Sequence, residues 1–213
     1  MGSSYLHKNF VKWIDKDSIK TIVECGSRDC LDAIALNEFY NPDIIYSFEC
    51  NPESFLVCKK NIRGIDNIRL INKAVYNHDC PVVFYATDMD KSIDKNIGAS
   101  SLLWHRDNEN EFFQKEITVE GMRLDTFMEN YNVENIDLLC MDLQGTEHIA
   151  IDSLGERIKD IKYIITEVTI RSHYKGDMLR GEMRRLLHSK GFRYRDYFSG
   201  NILFERDGRL YNR

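Results

Sequence analysis

The stretch Thr21–Asp32, TIVECGSRDCLD, decides the fold class because it joins a strand pattern to a helix pattern through one sharp turn. A β-branched, apolar run ends in Glu24 and Gly26, as in a buried parallel strand. Apolar side chains then recur at helical spacing, at Leu31, Ile34, Ala35 and Phe39. Gly26 has no Cβ, so a ligand can approach the backbone there, and the helix start favours a negatively charged group. The stretch therefore predicts a pocket that binds a nucleotide-like ligand.

A second acidic residue strengthens this interpretation. The dinucleotide fingerprint needs three glycines, and this turn has only Gly26, with Arg28 and Cys30 at the later glycine positions. Glu49, however, ends a second apolar strand about 23 residues after Gly26. In a right-handed βαβ unit these two strand ends are neighbours, and a carboxylate there accepts hydrogen bonds from both hydroxyls of a ribose.

Strand and helix patterns alternate along the rest of the chain and predict an α/β sheet. Further strands are expected at Ile68–Val75, 79–86, 135–145 and 162–170, followed by a hairpin of Phe192–Phe198 and Asn201–Glu205. Residues 88–96 are polar and are expected to form an exposed loop. Four acids fall at the carboxyl ends of predicted strands, namely Glu24, Glu49, Asp142 and Glu167. Because ligands of such sheets bind at that edge, the four carboxylates predict one shared site.

Size and charge limit the domain organisation and the partners. The 213 residues contain 43% hydrophobic residues and no Pro/Gly/Ser-rich linker, so one domain is expected over residues 21–213, preceded by a helical extension over residues 1–20. The start so close to the first strand also suits one domain of a longer protein. The net charge of −5 and the scattered basic residues disfavour nucleic acid as a partner.

The cysteines and the hydropathy pattern indicate a cytoplasmic location. No apolar run approaches the roughly 20 residues of a membrane span, and the N-terminus lacks a signal-peptide core. The six cysteines contain no C-x-x-C pair and mostly lie in apolar runs, which favours buried free thiols in a reducing compartment.

Several motifs, in order and at matching spacing, resemble the FkbM family of S-adenosylmethionine-dependent methyltransferases. They are VECGS at 23–27, SFECNPESF at 47–55, GASSL at 98–102, RLDTFMENYNVENIDLLCMDLQGTE at 123–147 and YIITE at 163–167. The resemblance covers the chain from Thr21 to about Phe204. Two departures are Cys30, in the region of a second glycine of the turn, and Gln144, where the family's acid-x-Glu-Gly-x-Glu element has a glutamate.

The resemblance implies a Rossmann-like, seven-stranded class I methyltransferase sheet, mostly parallel with a C-terminal antiparallel hairpin and with helices on both faces. It also implies methylation of a sugar hydroxyl, on a glycan or glycoside and including deoxyhexoses such as rhamnose. S-adenosylmethionine is then expected to contact Glu24, Gly26, Ser27, Arg28, Glu49, Cys50, Ala74, Ser101 and Asp142.

Methyl transfer to an alcohol requires a group that removes the hydroxyl proton, and several polar residues are candidates for this role. Asp142 is expected to face the acceptor hydroxyl as general base. Glu167 on the next strand is expected either to orient the sugar or to help Asp142 hold a divalent cation such as Mg²⁺. His173 and His148 are rival bases, since imidazole titrates near neutral pH.

Two other functions remain open on sequence alone. A nicotinamide-dependent oxidoreductase shares the ribose acid but requires the glycines that this turn lacks. A cofactor-binding domain without catalysis is suggested by Gln144 and by the missing second glycine.

Overall fold

The computed structural model describes residues 3–92, 96–106 and 113–208, so part of the predicted loop at 88–96, residues 93–95, lies outside it. The α-helices are α1 Lys8–Val11, α2 Leu31–Tyr40, α3 Pro52–Asn61, α4 Leu124–Asn130, α5 Glu147–Ser153 and α6 Arg180–Ser189. The strands are β1 Thr21–Cys25, β2 Ile44–Phe48, β3 Ile68–Ile71, β4 Ala74–Val75, β5 Pro81–Thr87, β6 Gln114–Met122, β7 Ile136–Met141, β8 Ile161–Glu167, β9 Phe192–Phe198 and β10 Asn201–Arg206. Short 3-10 helices span Ser4–Leu6, Lys16–Ser18, Ile97–Ala99 and Gly155–Asp160.

Seven strands form the main sheet, in the order β3-β2-β1-β7-β8-β10-β9. The pairs from β3 to β8 are parallel, whereas β10 is antiparallel to both β8 and β9. The predicted C-terminal hairpin is confirmed, and Ser199 and Gly200 take the two positive φ values, 45° and 87°, of a tight hairpin turn. The chain leaves β1 towards β2 and later returns to its other side at β7, so strand order reverses there and a crevice opens at the carboxyl ends of these two strands.

A smaller sheet of β4, β6 and β5 covers one side of this crevice. The sequence predicts a single strand over Ile68–Val75, and this is wrong: β3 stays in the main sheet while β4 pairs with β6. The chain bends between them, where the Lys73 N–H donates to the Ile71 carbonyl (3.0 Å) and the Asn72 amide donates to the Glu49 carbonyl (2.8 Å). The bend brings Ala74 to the crevice instead of continuing the main sheet.

The N-terminal segment is helical only in short turns. A single amphipathic helix from Tyr5 to Asp17 is expected from the sequence, but the structure has α1 between two 3-10 turns. The turns let the chain wrap the sheet, so that Tyr5, Phe10 and Ile14 are all buried (4%, 0% and 5% exposed). No helix among the described residues combines the length and apolar character needed to cross a bilayer.

The alternating side chains of the main sheet fill two hydrophobic layers. Ile22 of β1 packs with Ala33 and Leu36 of α2 on one face, and Val23 packs in the layer of α4, α5 and α6 on the other. Helices therefore cover both faces, as parallel strands require, because neither face can be left to water.

Phe127 of α4 is the centre of an aromatic group in the second layer. Its ring lies 5.0 Å from those of Tyr46 and Phe48 and 5.2 Å from that of Tyr131, measured between centroids. Because Phe127 is fully buried, its removal leaves a cavity beneath the β2 end of the crevice.

We expect Phe127→Ala to lower the free energy of unfolding by about 3–5 kcal/mol, since a large buried aromatic side chain is lost. Urea denaturation followed by circular dichroism measures this change. Leu56→Ala, at a side chain that is 67% exposed on α3, is the control and should stay within about 0.5 kcal/mol of wild type. A loss below about 1 kcal/mol in Phe127→Ala would contradict the central position of this ring.

Candidate active site

The crevice begins where the ends of β1 and β7 touch. Gly26 has a φ of +87°, and a Cβ at this position would lie 2.0 Å from the carbonyl oxygen of Asp142. The Asp142 N–H in turn donates to the carbonyl of Cys25 at 3.0 Å. Only glycine fits here, because any side chain would separate the two strand ends.

The turn after Gly26 is shaped by backbone hydrogen bonds. The N–H groups of Gly26 and Ser27 both donate to the Phe48 carbonyl at 3.0 Å. Arg28 and Cys30 follow with φ values of 52° and 59°. Cys30 thus adopts the left-handed conformation that a glycine favours, so the turn forms without a second glycine.

Glu49 lies beside this turn and accepts two backbone hydrogen bonds. Its Oε2 receives the Arg28 N–H and its Oε1 receives the Asn51 N–H, both at 2.7 Å. Burial raises the pKa of Glu49 above its ordinary value, and these amides oppose that shift. Asn51 caps α3 by accepting the Glu53 N–H at 3.0 Å, which fixes the carboxyl end of β2 relative to this helix.

The first cavity extends from this turn to the small sheet and encloses about 1010 Å³, part of it open to solvent. Seven of the sequence-predicted cofactor residues line it, namely Gly26, Ser27, Arg28, Glu49, Cys50, Ala74 and Asp142. Sequence reasoning missed further lining residues, among them Tyr5, Asp32, Phe84, Asn96 and Gln144. No local pattern marks Tyr5, because it reaches the cavity only through the fold of the N-terminal segment.

Two predicted cofactor residues lie behind the lining. Glu24 is 2% exposed and accepts a hydrogen bond from the Ser47 hydroxyl at 2.8 Å, inside the sheet. Burial raises its pKa to about 7. Ser101 is 1% exposed, and its hydroxyl donates to the Gln144 carbonyl at 2.8 Å. The structure therefore places both residues where they support the walls of the cavity.

Three carboxylates meet beside the first cavity, and Asp142 is the member of this cluster that lines it. Among the described residues, Asp142, Glu147 and Glu167 have carboxylate oxygens that all lie within 4.8 Å of one another. Glu147 Oε1 accepts the N–H groups of Leu143 (2.8 Å) and Gly145 (3.3 Å). Burial raises the pKa of Glu147 to about 7, and burial beside Asp142 raises that of Glu167 further. From the sequence, Glu147 is predicted only to begin a helix, although it is the last residue of the DLQGTE motif.

A second cavity lies on the far side of this cluster. Its lining includes Glu167, His173, Tyr174 and Asp177, and it shares Asn96 and Gln144 with the first cavity. The three predicted catalytic residues are therefore distributed, with Asp142 on the first cavity and Glu167 and His173 on the second. The rival base His148 lines neither of these two cavities.

The second cavity is held together by contacts between distant segments. His105 and Tyr174 form an isolated bridge, and their rings meet edge to face at 5.0 Å. The Asp177 carboxylate accepts the N–H groups of His173 (2.8 Å) and Tyr174 (3.1 Å). These contacts fix the loop between β8 and α6 over the end of the sheet.

Comparison with known proteins assigns the family. The model of the methyltransferase FkbM domain matches residues 25–194. The chain belongs to the FkbM methyltransferase family. It is also similar to the 2-O-methyltransferase NoeI of Sinorhizobium fredii (strain NBRC 101917 / NGR234), at 25% identity over 181 residues that cover 83% of this chain and 74% of NoeI.

Solved structures with the same fold include methyltransferases with bound cofactor. The structure of M. capricolum TrmK with S-adenosyl-homocysteine has a TM-score of 0.52 at 13% identity, covering 97% of this chain and 70% of TrmK. Aeropyrum pernix fibrillarin with bound S-adenosyl-L-methionine has a TM-score of 0.52 at 13% identity, covering 89% of this chain and 66% of fibrillarin. At such identities the likeness shows the fold alone, and it confirms the predicted class I methyltransferase sheet.

This FkbM chain is thus an S-adenosylmethionine-dependent methyltransferase, as the sequence predicted, and the family assignment decides against the nicotinamide-dependent alternative. The first cavity fits the cofactor: Gly26, Ser27 and Arg28 of the turn line it, and so does Glu49, a buried carboxylate with acceptor capacity beyond its two amide bonds.

We expect Glu49→Gln to weaken binding of S-adenosylhomocysteine at least about tenfold, because hydrogen bonds to a charged acceptor contribute roughly 1.5–3 kcal/mol. Isothermal titration calorimetry measures the affinity. Glu53→Gln, at the start of α3, is the control and should bind like wild type. Unchanged affinity in Glu49→Gln would contradict a ribose-binding role for this carboxylate.

The raised pKa of Glu24 leads us to expect that the stability of the protein depends on pH. The folded pKa of this carboxyl group, about 7, exceeds the ordinary 4.5. The native state therefore holds this proton more tightly, so the contribution to stability is complete below about pH 4.5 and is lost as pH rises through 7. We expect Glu24→Gln to lessen the loss of unfolding free energy between pH 5 and 8 by up to about 3 kcal/mol. Thermal unfolding across this range, with exposed Glu129→Gln as control, checks it; parallel curves for wild type and Glu24→Gln would refute it.

Proposed function

We propose that this enzyme transfers the methyl group of S-adenosylmethionine to a hydroxyl oxygen of a sugar, on a glycan or glycoside. The observation that carries the proposal is the position of Asp142, Gln144 and Glu167 between two cavities, one suited to the cofactor and one lined by carboxyl, imidazole and phenol groups. Such groups bind the hydroxyls and apolar faces of sugars. The similarity to a 2-O-methyltransferase supports oxygen as the acceptor atom.

In this proposal the first cavity holds the cofactor in a fixed orientation. Glu49 would accept hydrogen bonds from the ribose hydroxyls, Gly26, Ser27 and Arg28 would contact the methionine portion, and Cys50 and Ala74 would contact the adenine. When bound, S-adenosylmethionine supplies a methyl group already activated on a sulfonium. Alignment of the acceptor oxygen with that methyl group can contribute roughly 7–11 kcal/mol to the lowering of the barrier.

The carboxylates at the boundary of the two cavities would handle the proton of the acceptor. We assign Asp142 as the general base, a role that typically contributes about 10²- to 10⁴-fold. Glu167, whose raised pKa keeps it protonated near neutral pH, would donate a hydrogen bond to another sugar oxygen. His173 at the rim of the second cavity is the rival base.

A sugar is a better partner for this site than nucleic acid. Asp142 lines the first cavity at this boundary and Asp177 lines the second cavity, so a phosphate backbone would meet like charge. The net charge of −5 acts in the same direction. We accordingly propose a sugar-containing small molecule or glycan as the substrate.

The remaining organisation is proposed on similar grounds. Residues 21–213 would form one methyltransferase domain, with residues 1–20 as an extension that contributes Tyr5 to the cofactor cavity. A cytoplasmic location is supported by the six cysteines, all of them free and one, Cys80, exposed.

Incubation with S-adenosylmethionine labelled in the methyl group and a panel of glycosides, including deoxyhexosides, tests the function. We expect label on a sugar hydroxyl, located by mass spectrometry and NMR. Bound S-adenosylhomocysteine without transfer to any glycoside would instead support a cofactor-binding domain without catalysis. Label on RNA in a parallel reaction would overturn the choice of a sugar substrate.

Asp142→Asn separates binding from catalysis. We expect it to lower kcat at least about tenfold, because the amide cannot accept the hydroxyl proton, while the affinity for S-adenosylhomocysteine stays near wild type. The exposed Asp152→Asn on α5 is the matched control. If Asp142→Asn retains full turnover and His173→Gln loses it, the base is His173.

A further inference from the structure

Gln144 stands out among the residues at the boundary because of its backbone conformation. Its φ of 52° is left-handed, although it is not a glycine, and Gly145 follows with a φ of 103°. Such a conformation is unfavourable for a residue with a side chain unless surrounding contacts hold it. Here the Gln144 carbonyl accepts the Ser101 hydroxyl at 2.8 Å, which joins the loop after β7 to the segment after β5.

The side-chain amide of Gln144 connects the two boundary carboxylates. Its Nε2 donates to Asp142 Oδ1 at 2.5 Å and to Glu167 Oε2 at 2.9 Å, so both of its hydrogens are used. Its Oε1 lies 3.0 Å from the Tyr174 hydroxyl. This orientation of the amide is the one that places donors against the two carboxylates, since the reverse would bring Oε1 against them.

The contact with Tyr174 extends the network to the wall of the cofactor cavity. Tyr174 is 5% exposed, and its hydroxyl lies 3.0 Å from the Ala99 carbonyl as well. Ala99 ends the 3-10 helix Ile97–Ala99, in which Ile97 and Gly98 line the first cavity. Residues around both cavities therefore hold Gln144 in place by hydrogen bonds.

A divalent cation fits this network poorly, although three carboxylates within 4.8 Å resemble a site for a hard cation. The Gln144 amide already contacts Asp142 and Glu167, and Glu147 is engaged by two backbone N–H groups. A cation that bridged Asp142 Oδ1 and Glu167 Oε2 would have to displace the amide and break its bonds to both carboxylates. The expectation of a magnesium ion held by Asp142 and Glu167 thus conflicts with the donors that these residues already have.

We propose that Gln144 is a positioning residue that fixes Asp142 and Glu167 against each other, and that its amide takes the bridging place that a divalent cation would otherwise occupy between these carboxylates. The positioning role rests on the proposed function, because it concerns methyl transfer. The cation part depends only on the carboxylates and the amide, so it can be tested without an acceptor.

The cation part is tested by titrating MgCl₂ or MnCl₂ alone into the full chain, followed by calorimetry. Wild type should show no saturable binding below about 10 mM, whereas Gln144→Glu, which removes the bridging donor and adds a carboxylate, should bind at least about tenfold more tightly. Asn96→Asp, which adds the same charge at a residue lining both cavities, is the control and should resemble wild type. Tight binding by wild type, or none by a folded Gln144→Glu, would overturn this part.

The positioning part is tested with Gln144→Ala. NMR titration of carboxyl-labelled protein should show the titration of Glu167 shifted relative to wild type, because its donor is lost, while a merely structural role would lower the melting temperature without this shift. With an acceptor from the glycoside panel, kcat should fall at least about tenfold and its pH profile should move, with KM for S-adenosylmethionine within about threefold. An unchanged carboxyl titration of Glu167 in Gln144→Ala would by itself refute the positioning role, whether or not methyl transfer to a sugar has been established.

Discussion

The contact between Gly26 and the carbonyl of Asp142 is the constraint on which the rest of the site depends. It holds the ends of β1 and β7 closer than any side chain at position 26 would allow. Because β1 and β7 flank the point where strand order reverses, this contact sets the floor of the crevice and the direction in which Asp142 leaves its strand. Both cavities are then positioned relative to it: the cofactor cavity along the turn after Gly26, and the second cavity beyond Gln144.

The same site shows how the protein accommodates several carboxyl groups in a largely buried environment. Burial raises the pKa of each of the carboxyl groups of Glu24, Glu49, Glu147 and Glu167, which means that the charged form is disfavoured there. Neutral donors offset this cost at the positions that line the cavities: backbone N–H groups at Glu49 and Glu147, and the Gln144 amide at Glu167. Amide groups of the loops thus stabilise the charged carboxylates by hydrogen bonds. The electrostatics of the site therefore depend on the conformation of the loop backbone.

Much of the first cavity could be predicted from the sequence, because the sequence patterns that indicate it are local. A strand ending in an acid and followed by a turn is visible within ten residues, and the consecutive βαβ units place Gly26 and Glu49 side by side. Failures arose where contacts over long distances decide the outcome. Ile68–Val75 is divided because an unrelated strand, β6, pairs with its second half. Ser101 points away from the cavity for a similar reason, since its hydroxyl bonds to the carbonyl of Gln144.

The second cavity resists prediction for a physical reason. Its walls come from the 3-10 helix Ile97–Ala99, from His105 and from the loop between β8 and α6, and these segments meet only through isolated bridges and side-chain hydrogen bonds. No periodic pattern encodes such contacts, and their residues can change without disturbing the sheet. The first cavity has less freedom, because a side chain at position 26 would collide with the backbone carbonyl of Asp142. The walls of the second cavity can therefore change while the first cavity is kept, and Gln144, which lines both cavities together with Asn96, connects those walls to Asp142 and Glu167.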